Sequence, residues 1–207
     1  MQGSKLCFVL IGLIVLLIGS SAVANGASAL SGAEPARANP DLLDFSKLEA
    51  GDILLRKGRS YVSELISMGF GSEVSHCGLI LQDRGEWKVL HIISGQISEH
   101  NSIRLDPIES FIQEAQPGSV YQLKPVQRPS VGAIEQESRS LLLARPSFDH
   151  QFDLSDESEL YCSELVRLIY LKSGSPDLFH YKTIGGKRLI DMDSFFDSKF
   201  FQLSQAL

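Results

Sequence analysis

Three cysteines in 207 residues are too few for a disulfide framework. One of them, Cys7, sits in an apolar N-terminal run, which leaves Cys77 and Cys162 for the rest of the chain. No CxxC and no HxxxH pairing occurs, so a zinc site has no ligand spacing to stand on. Neither a metal nor another cofactor is called for. Long blocks of like charge are missing as well, as are internal repeats and low-complexity segments, so neither a charged tail nor a repeat array is in view. Basic residues are in deficit, 19 Lys and Arg against 25 Asp and Glu, for a formal net charge of −6. That balance argues against nucleic acid, or an anionic membrane surface, as a partner. Apolar residues make up 43% of the chain, which is enough for a core that needs no staples.

The N-terminus reads as an address. Lys5 precedes an apolar run from Leu6 to Ile18, and Ala22-Val23-Ala24 and Ala27-Ser28-Ala29 follow as cleavage sites. This is the layout of a secretory signal peptide. The run falls short of the roughly 20 residues that a full membrane span takes. Cys7 precedes most of it, unlike a lipoprotein attachment site. Residues 1–29 are therefore expected to be a signal peptide, with a periplasmic or extracellular destination, and with membrane contact only if the segment stays uncleaved. Residues 30–46, which contain "SGAEPARAN", are expected to form a flexible leader, and residues 47–207 the folded domain.

Within that domain two histidines lie in strand-like segments. "VSHCGLIL", Val74 to Leu81, is apolar and follows a Gly-Ser turn signal. Neighbours on a strand point to opposite faces, so His76 and Cys77 cannot share one. Cys77 goes with Ser75, Leu79 and Leu81 toward a core, whereas His76 goes with Gly78 and Ile80. Read alone, His76 is equally a hydrogen-bonded structural ring. After the turn "DRGE", the segment "WKVLHIIS" carries His91. A buried polar ring needs a partner, and two rings on adjacent strands can orient one another. An exposed edge position is the alternative for His91.

Cys162 stands at the start of an amphipathic pattern, "YCSELVRLIYLKSG", with Leu165, Val166, Leu168 and Ile169 on one face. In the first turn of a helix, the unpaired N–H groups and the helix dipole favour an anion. A thiolate placed there is stabilised, and its pKa falls. The same N–H groups can bind the oxyanion formed when a thiolate attacks a carbonyl. Such a nucleophile needs a base within hydrogen-bond reach. The alternatives at this point are a redox pair of Cys77 with Cys162 and a non-catalytic binding domain.

Gly51-Asp52-Ile53-Leu54, Ser75-His76-Cys77-Gly78-Leu79-Ile80 and Tyr161-Cys162-Ser163-Glu164-Leu165-Val166 resemble, in that order, the circularly permuted papain-like cysteine hydrolases related to the NlpC amidases. The YiiX-like branch is the most similar, over roughly Leu48 to Phe201. The resemblance implies an α+β fold, with a small antiparallel β-sheet and the nucleophile helix packed against it, across the face that carries His76. It implies Cys162 as nucleophile, His76 as general base and a polar third residue on the next strand. That branch commonly has glutamate at the third position, where this chain has His91; Glu86 and Glu99 are fallbacks. Tyr161 would shape an oxyanion site whose surest donor is the Cys162 N–H. Ser75 and His150 are candidate substrate contacts. The reaction implied is thiol hydrolysis of amide or peptide bonds, as in cell-wall or γ-glutamyl peptides. Acyl lipids are the other substrate class, with Ser60 to Ser72 as a candidate lid.

Overall fold

The computed structural model describes residues 36–95 and 101–207. The expected signal peptide, the first residues of the leader and the fallback Glu99 lie outside the described residues. In chain order the strands are Ile53–Gly58 (β1), His76–Asp83 (β2), Glu86–Ile93 (β3), Ser102–Pro107 (β4), Ala115–Pro125 (β5), Ser147–Phe148 (β6), Glu159–Leu160 (β7), Tyr181–Ile184 (β8), Lys187–Ile190 (β9) and Phe201–Ala206 (β10). The α-helices are Tyr61–Phe70 (α1), Ile108–Gln113 (α2), Val131–Ala144 (α3) and Cys162–Lys172 (α4). Eight strands form one sheet in the order β10-β5-β1-β2-β3-β4-β6-β7, antiparallel throughout except for the short β6–β7 pair; β8 and β9 form a separate hairpin. This is the α+β architecture expected from the sequence.

Local chemistry explains the elements that frame the site. The β2–β3 hairpin closes on Asp83↔Glu86 through Arg84 and Gly85, both at positive φ (51° and 84°). A two-residue loop of that kind matches the right-handed twist of its strands. Helix α1 starts at Ser60, whose hydroxyl accepts from Ser63 N–H, and stops at Gly71 in the left-handed region. Helix α4 starts on Tyr161 without a short polar cap; a Glu164 carboxyl oxygen accepts the Tyr161 N–H at 3.4 Å instead.

Both sheet faces are covered, which is why "CGLIL" is apolar at successive positions. Cys77, Leu79 and Leu81 join Leu165, Val166 and Ile169 of α4 in one cluster. Leu54, Ile80 and Val89 join Ile108, Phe111 and Ile112 of α2 on the opposite side.

Near the C-terminus Met192–Phe196 forms a five-residue 3-10 turn, and β10 pairs with β5 although "FQLSQA" is half polar. Two features differ from expectation. Part of the expected leader is docked: it forms 3-10 turns at Pro40–Leu42 and Phe45–Lys47, buries Ala38 and Leu43, and donates Ala38 N–H to Ala115 C=O. And α4 packs across the Cys77 face of the sheet, not the His76 face. The helix buries its leucine, valine and isoleucine face, and the strand parity that carries matching apolar side chains is the odd one.

Candidate active site

His76 opens β2, and His91 lies near the far end of β3. Pairing between the two strands runs from Leu79↔Leu90 to the turn, so His76, Cys77 and Gly78 extend past it at the open end of the hairpin. There the rings meet: His76 Nε2 and His91 Nδ1 are 3.0 Å apart, with the ring planes edge to face. His91 Nε2 in turn lies 3.1 Å from Asp106 Oδ2 on β4. Phe111 of α2 stacks on the His76 ring and meets the His91 ring edge-on. The aromatic wall leaves each imidazole little freedom except its hydrogen bonds.

A buried cation borders this chain of groups. Arg56 pairs with His76 across β1–β2 and lays its guanidinium 4.2 Å from the Phe111 ring centroid. Its Nη1 donates to Phe111 C=O at 2.6 Å, and its Nη2 pairs with Glu114 at 2.6 Å. Burial, with Arg56 and His91 alongside, pushes the His76 imidazole well below its ordinary pKa, which favours the neutral ring. Burial also lowers His91, with Asp106 pulling the other way. Burial raises the Asp106 carboxyl, but bonds from His91 and the charge of Arg104 outweigh it and hold Asp106 below the ordinary range.

Cys162 is the first residue of α4 and is half-buried against the cluster that holds Cys77. Hydrogen bonding with the Cys77 thiol lowers its pKa, as do the backbone N–H groups of Cys77, Ser163 and Cys162 itself; burial opposes them and loses. The Cys77 N–H belongs to the peptide that joins Cys77 to His76. The sulfur thus lies over the backbone from which the His76 ring branches. Cys77 itself is fully buried, and burial pushes its thiol far above the ordinary value. Both cysteines are free.

The structure brings His76 and His91 together, and it sets Cys162 at the same end of β2 but on the other side of the strand. Among the described residues no hydrogen bond joins the sulfur to the His76 ring, whose Nδ1 makes none.

The remaining sequence candidates do other work. Ser75 Oγ accepts Gly58 N–H at 3.0 Å and ties β2 to β1. Tyr161 is buried, and its hydroxyl accepts Ile190 N–H at 3.0 Å, anchoring the β8–β9 hairpin to the start of α4 rather than facing the sulfur. His150 lies 3.3 Å from Asn101 and against Phe148. Glu86 is exposed and pairs with Lys88. Sequence reasoning missed Asp106, Arg56 and Phe111. An alternation count over "SIRLDP" would have put Asp106 on one face with Arg104. No sequence signal marks which side of β1 carries Arg56.

Comparison with curated proteins finds no match. Among solved structures, the metalloprotein yiiX from Escherichia coli O157:H7 is similar in fold, with a TM-score of 0.65 at 16% identity, over 77% of this chain and 97% of that one. A family model described as "permuted papain-like amidase enzyme, YaeF/YiiX, C92 family" matches residues 47–203. The match takes in the β2 histidine, the β3 histidine and the cysteine at the head of α4, and the chain belongs to the YaeF/YiiX family of permuted papain-like amidases.

Proposed function

We propose that this amidase is exported and acts through Cys162 as nucleophile, His76 as general base and His91 as the group that orients His76. The observation that supports this most is the hydrogen-bonded His76–His91 pair at the open end of β2, with a thiol of lowered pKa against the adjoining Cys77. His76 uses Nε2 on His91, which leaves Nδ1 as its acceptor. In the forward step the Cys162 S–H bond breaks and the proton passes to Nδ1 of His76. The thiolate adds to an amide carbonyl, and the oxyanion is met by N–H groups at the head of α4. Collapse expels the amine, which takes the proton from His76. Water then cleaves the thioester with His76 again as base, releasing the carboxylic acid and the free thiol.

The substrates proposed are amide bonds of peptides, with γ-glutamyl and cell-wall stem peptides as the first classes to assay. The yiiX structure is of a metalloprotein. Among the described residues here no three His, Cys, Asp or Glu side chains are grouped to hold a metal ion. Export rests on the N-terminal sequence. A second reading, acyl-lipid hydrolysis, draws on Tyr61 and Met68, which α1 exposes at 74% and 52%.

Incubating the purified protein with γ-glutamyl peptides, stem tetrapeptides, thioesters and phospholipids separates these classes. Cys162→Ala and His76→Ala should each remove turnover on whichever class is cut, with unchanged far-UV circular dichroism. Turnover retained by either variant would refute the assignment.

A further inference from the structure

We propose that Asp106 is a positioning residue that fixes the proton arrangement along the histidine pair, so that Nδ1 of His76 is left unprotonated and free to take the Cys162 proton. The inference rests on the Cys162–His76 reading above. It follows from donor and acceptor counting. A carboxylate only accepts, and a neutral imidazole has one donor nitrogen and one acceptor nitrogen. His91 Nε2 lies 3.1 Å from Asp106 Oδ2, so Nε2 must carry the hydrogen. His91 Nδ1 is then a lone pair. His76 Nε2, 3.0 Å from that lone pair, must be the donor. The remaining nitrogen of His76, Nδ1, is left without a hydrogen. With both rings neutral, no other arrangement satisfies both contacts.

Asp106 is itself held. Arg104 donates Nε to Oδ1 at 3.2 Å and pairs Nη2 with Oδ2 at 2.8 Å, so the carboxylate cannot turn away from His91. When Nδ1 of His76 takes the Cys162 proton, only the S–H bond breaks and only one N–H bond forms; both downstream hydrogen bonds keep their direction. The imidazolium that results lies one ring away from a fixed negative charge.

Other charges face the same groups. Arg56 on β1 acts on His76, His91 and Cys162, and Glu114 after α2 partly neutralises it. Arg104 on β4 acts on His91. Cys77 on β2 and the N–H groups of α4 act on Cys162. An Asp106→Asn variant keeps the size of the side chain and removes its charge; it leaves Arg56, Glu114, Cys77 and the N–H groups of α4 in place, and it frees Arg104 from its ion pair, so that Arg104 also disfavours a charged His91.

The probe is iodoacetamide on the full chain, with the rate at Cys162 followed by peptide mass against pH. Asp106→Asn should raise the half-maximal pH by about 0.5–1 unit, the scale of a lost opposite charge just beyond direct contact, and leave the limiting rate at high pH unchanged. Asp106→Glu, which restores the charge, should recover at least half of that shift. An unchanged midpoint in Asp106→Asn overturns the proposal. So does a lowered limiting rate at an unchanged midpoint, which is what a merely structural role would give. If His76→Ala leaves the profile as in the wild type, the Cys162–His76 reading itself has failed, which is a separate outcome.

Discussion

Placing a methyl group at position 78 should both destabilise the protein and disturb the site. Gly78 sits between His76 and Ile80 on β2, in the tight approach between β2 and β3. A Cβ there would run into Val89 Cγ1, and would lie 3.0 Å from Leu90 C=O and 3.1 Å from His91 Cβ. Val89 and Leu90 are fully buried, so neither has a vacant rotamer to retreat into. Leu90 C=O is backbone and moves only with the strand. The overlap therefore has to be relieved by shifting β3, and His91 moves with it. Overpacking of this kind costs about 1–3 kcal/mol. For a domain of this size that is about 2–12 °C in melting temperature. Displacing His91 stretches its bond to His76, and misplacements near 1 Å cost up to about 100-fold in rate. The assay is thermal unfolding of Gly78→Ala beside the iodoacetamide profile of Cys162. A variant that melts within about 1 °C of the wild type, with an unchanged profile, would refute the argument that the hairpin has no room at this point.

Glu164 gives a pH-dependent test. Burial, with Asp149 and Asp153 nearby, raises its carboxyl to about 8, against the ordinary 4.5. Between those values the native state holds a proton that the unfolded state has released, so this group makes stability fall as pH rises, by about 1.4 kcal/mol per unit at most. Glu164→Gln keeps the acceptor for Tyr161 N–H and should flatten that slope in urea unfolding from pH 5 to 8; an unaltered slope contradicts the assignment. Arg56→Lys keeps the charge but loses the fork that reaches Phe111 C=O and Glu114 together. It should lower the urea midpoint by the equivalent of about 1–3 kcal/mol, and a midpoint equal to the wild type would mean that the fork contributes nothing.

Much of the candidate site is legible in the sequence because its parts announce themselves locally. Strand alternation separated His76 from Cys77, and helical periodicity placed Cys162 at the head of α4. "DRGE" marked the β2–β3 turn, with Gly85 supplying one of its two positive φ angles. What was not legible depends on contacts between distant segments. The side of the sheet that α4 covers is settled by how its apolar face matches Cys77, Leu79 and Leu81, a choice invisible within either segment. Strand β10 is half polar, and β6 and β7 are two residues each, so their extended form comes from their neighbours rather than from their own pattern. Asp106 looked like an ordinary polar residue before a proline. The register sets Val89↔Asp106 beside His91↔Arg104, and the 3.1 Å contact of Asp106 Oδ2 with His91 Nε2 shows that the carboxylate reaches the ring.

The most direct test of the central claim is the pH dependence of alkylation at the two cysteines, resolved by peptide mapping, in the wild type and in His76→Ala. Hydrogen bonding with the Cys77 thiol, helped by the N–H groups of Cys77 and of the head of α4, holds the Cys162 thiol below its ordinary 9.0, and burial holds Cys77 far above it. Cys162 should therefore be modified alone near neutral pH, with its rate rising through a midpoint below 9.0. His76→Ala should move that midpoint upward, since the proton acceptor is gone. Equal, slow modification of both cysteines, or a Cys162 midpoint unaffected by loss of His76, would contradict a thiol nucleophile served by the β2 histidine.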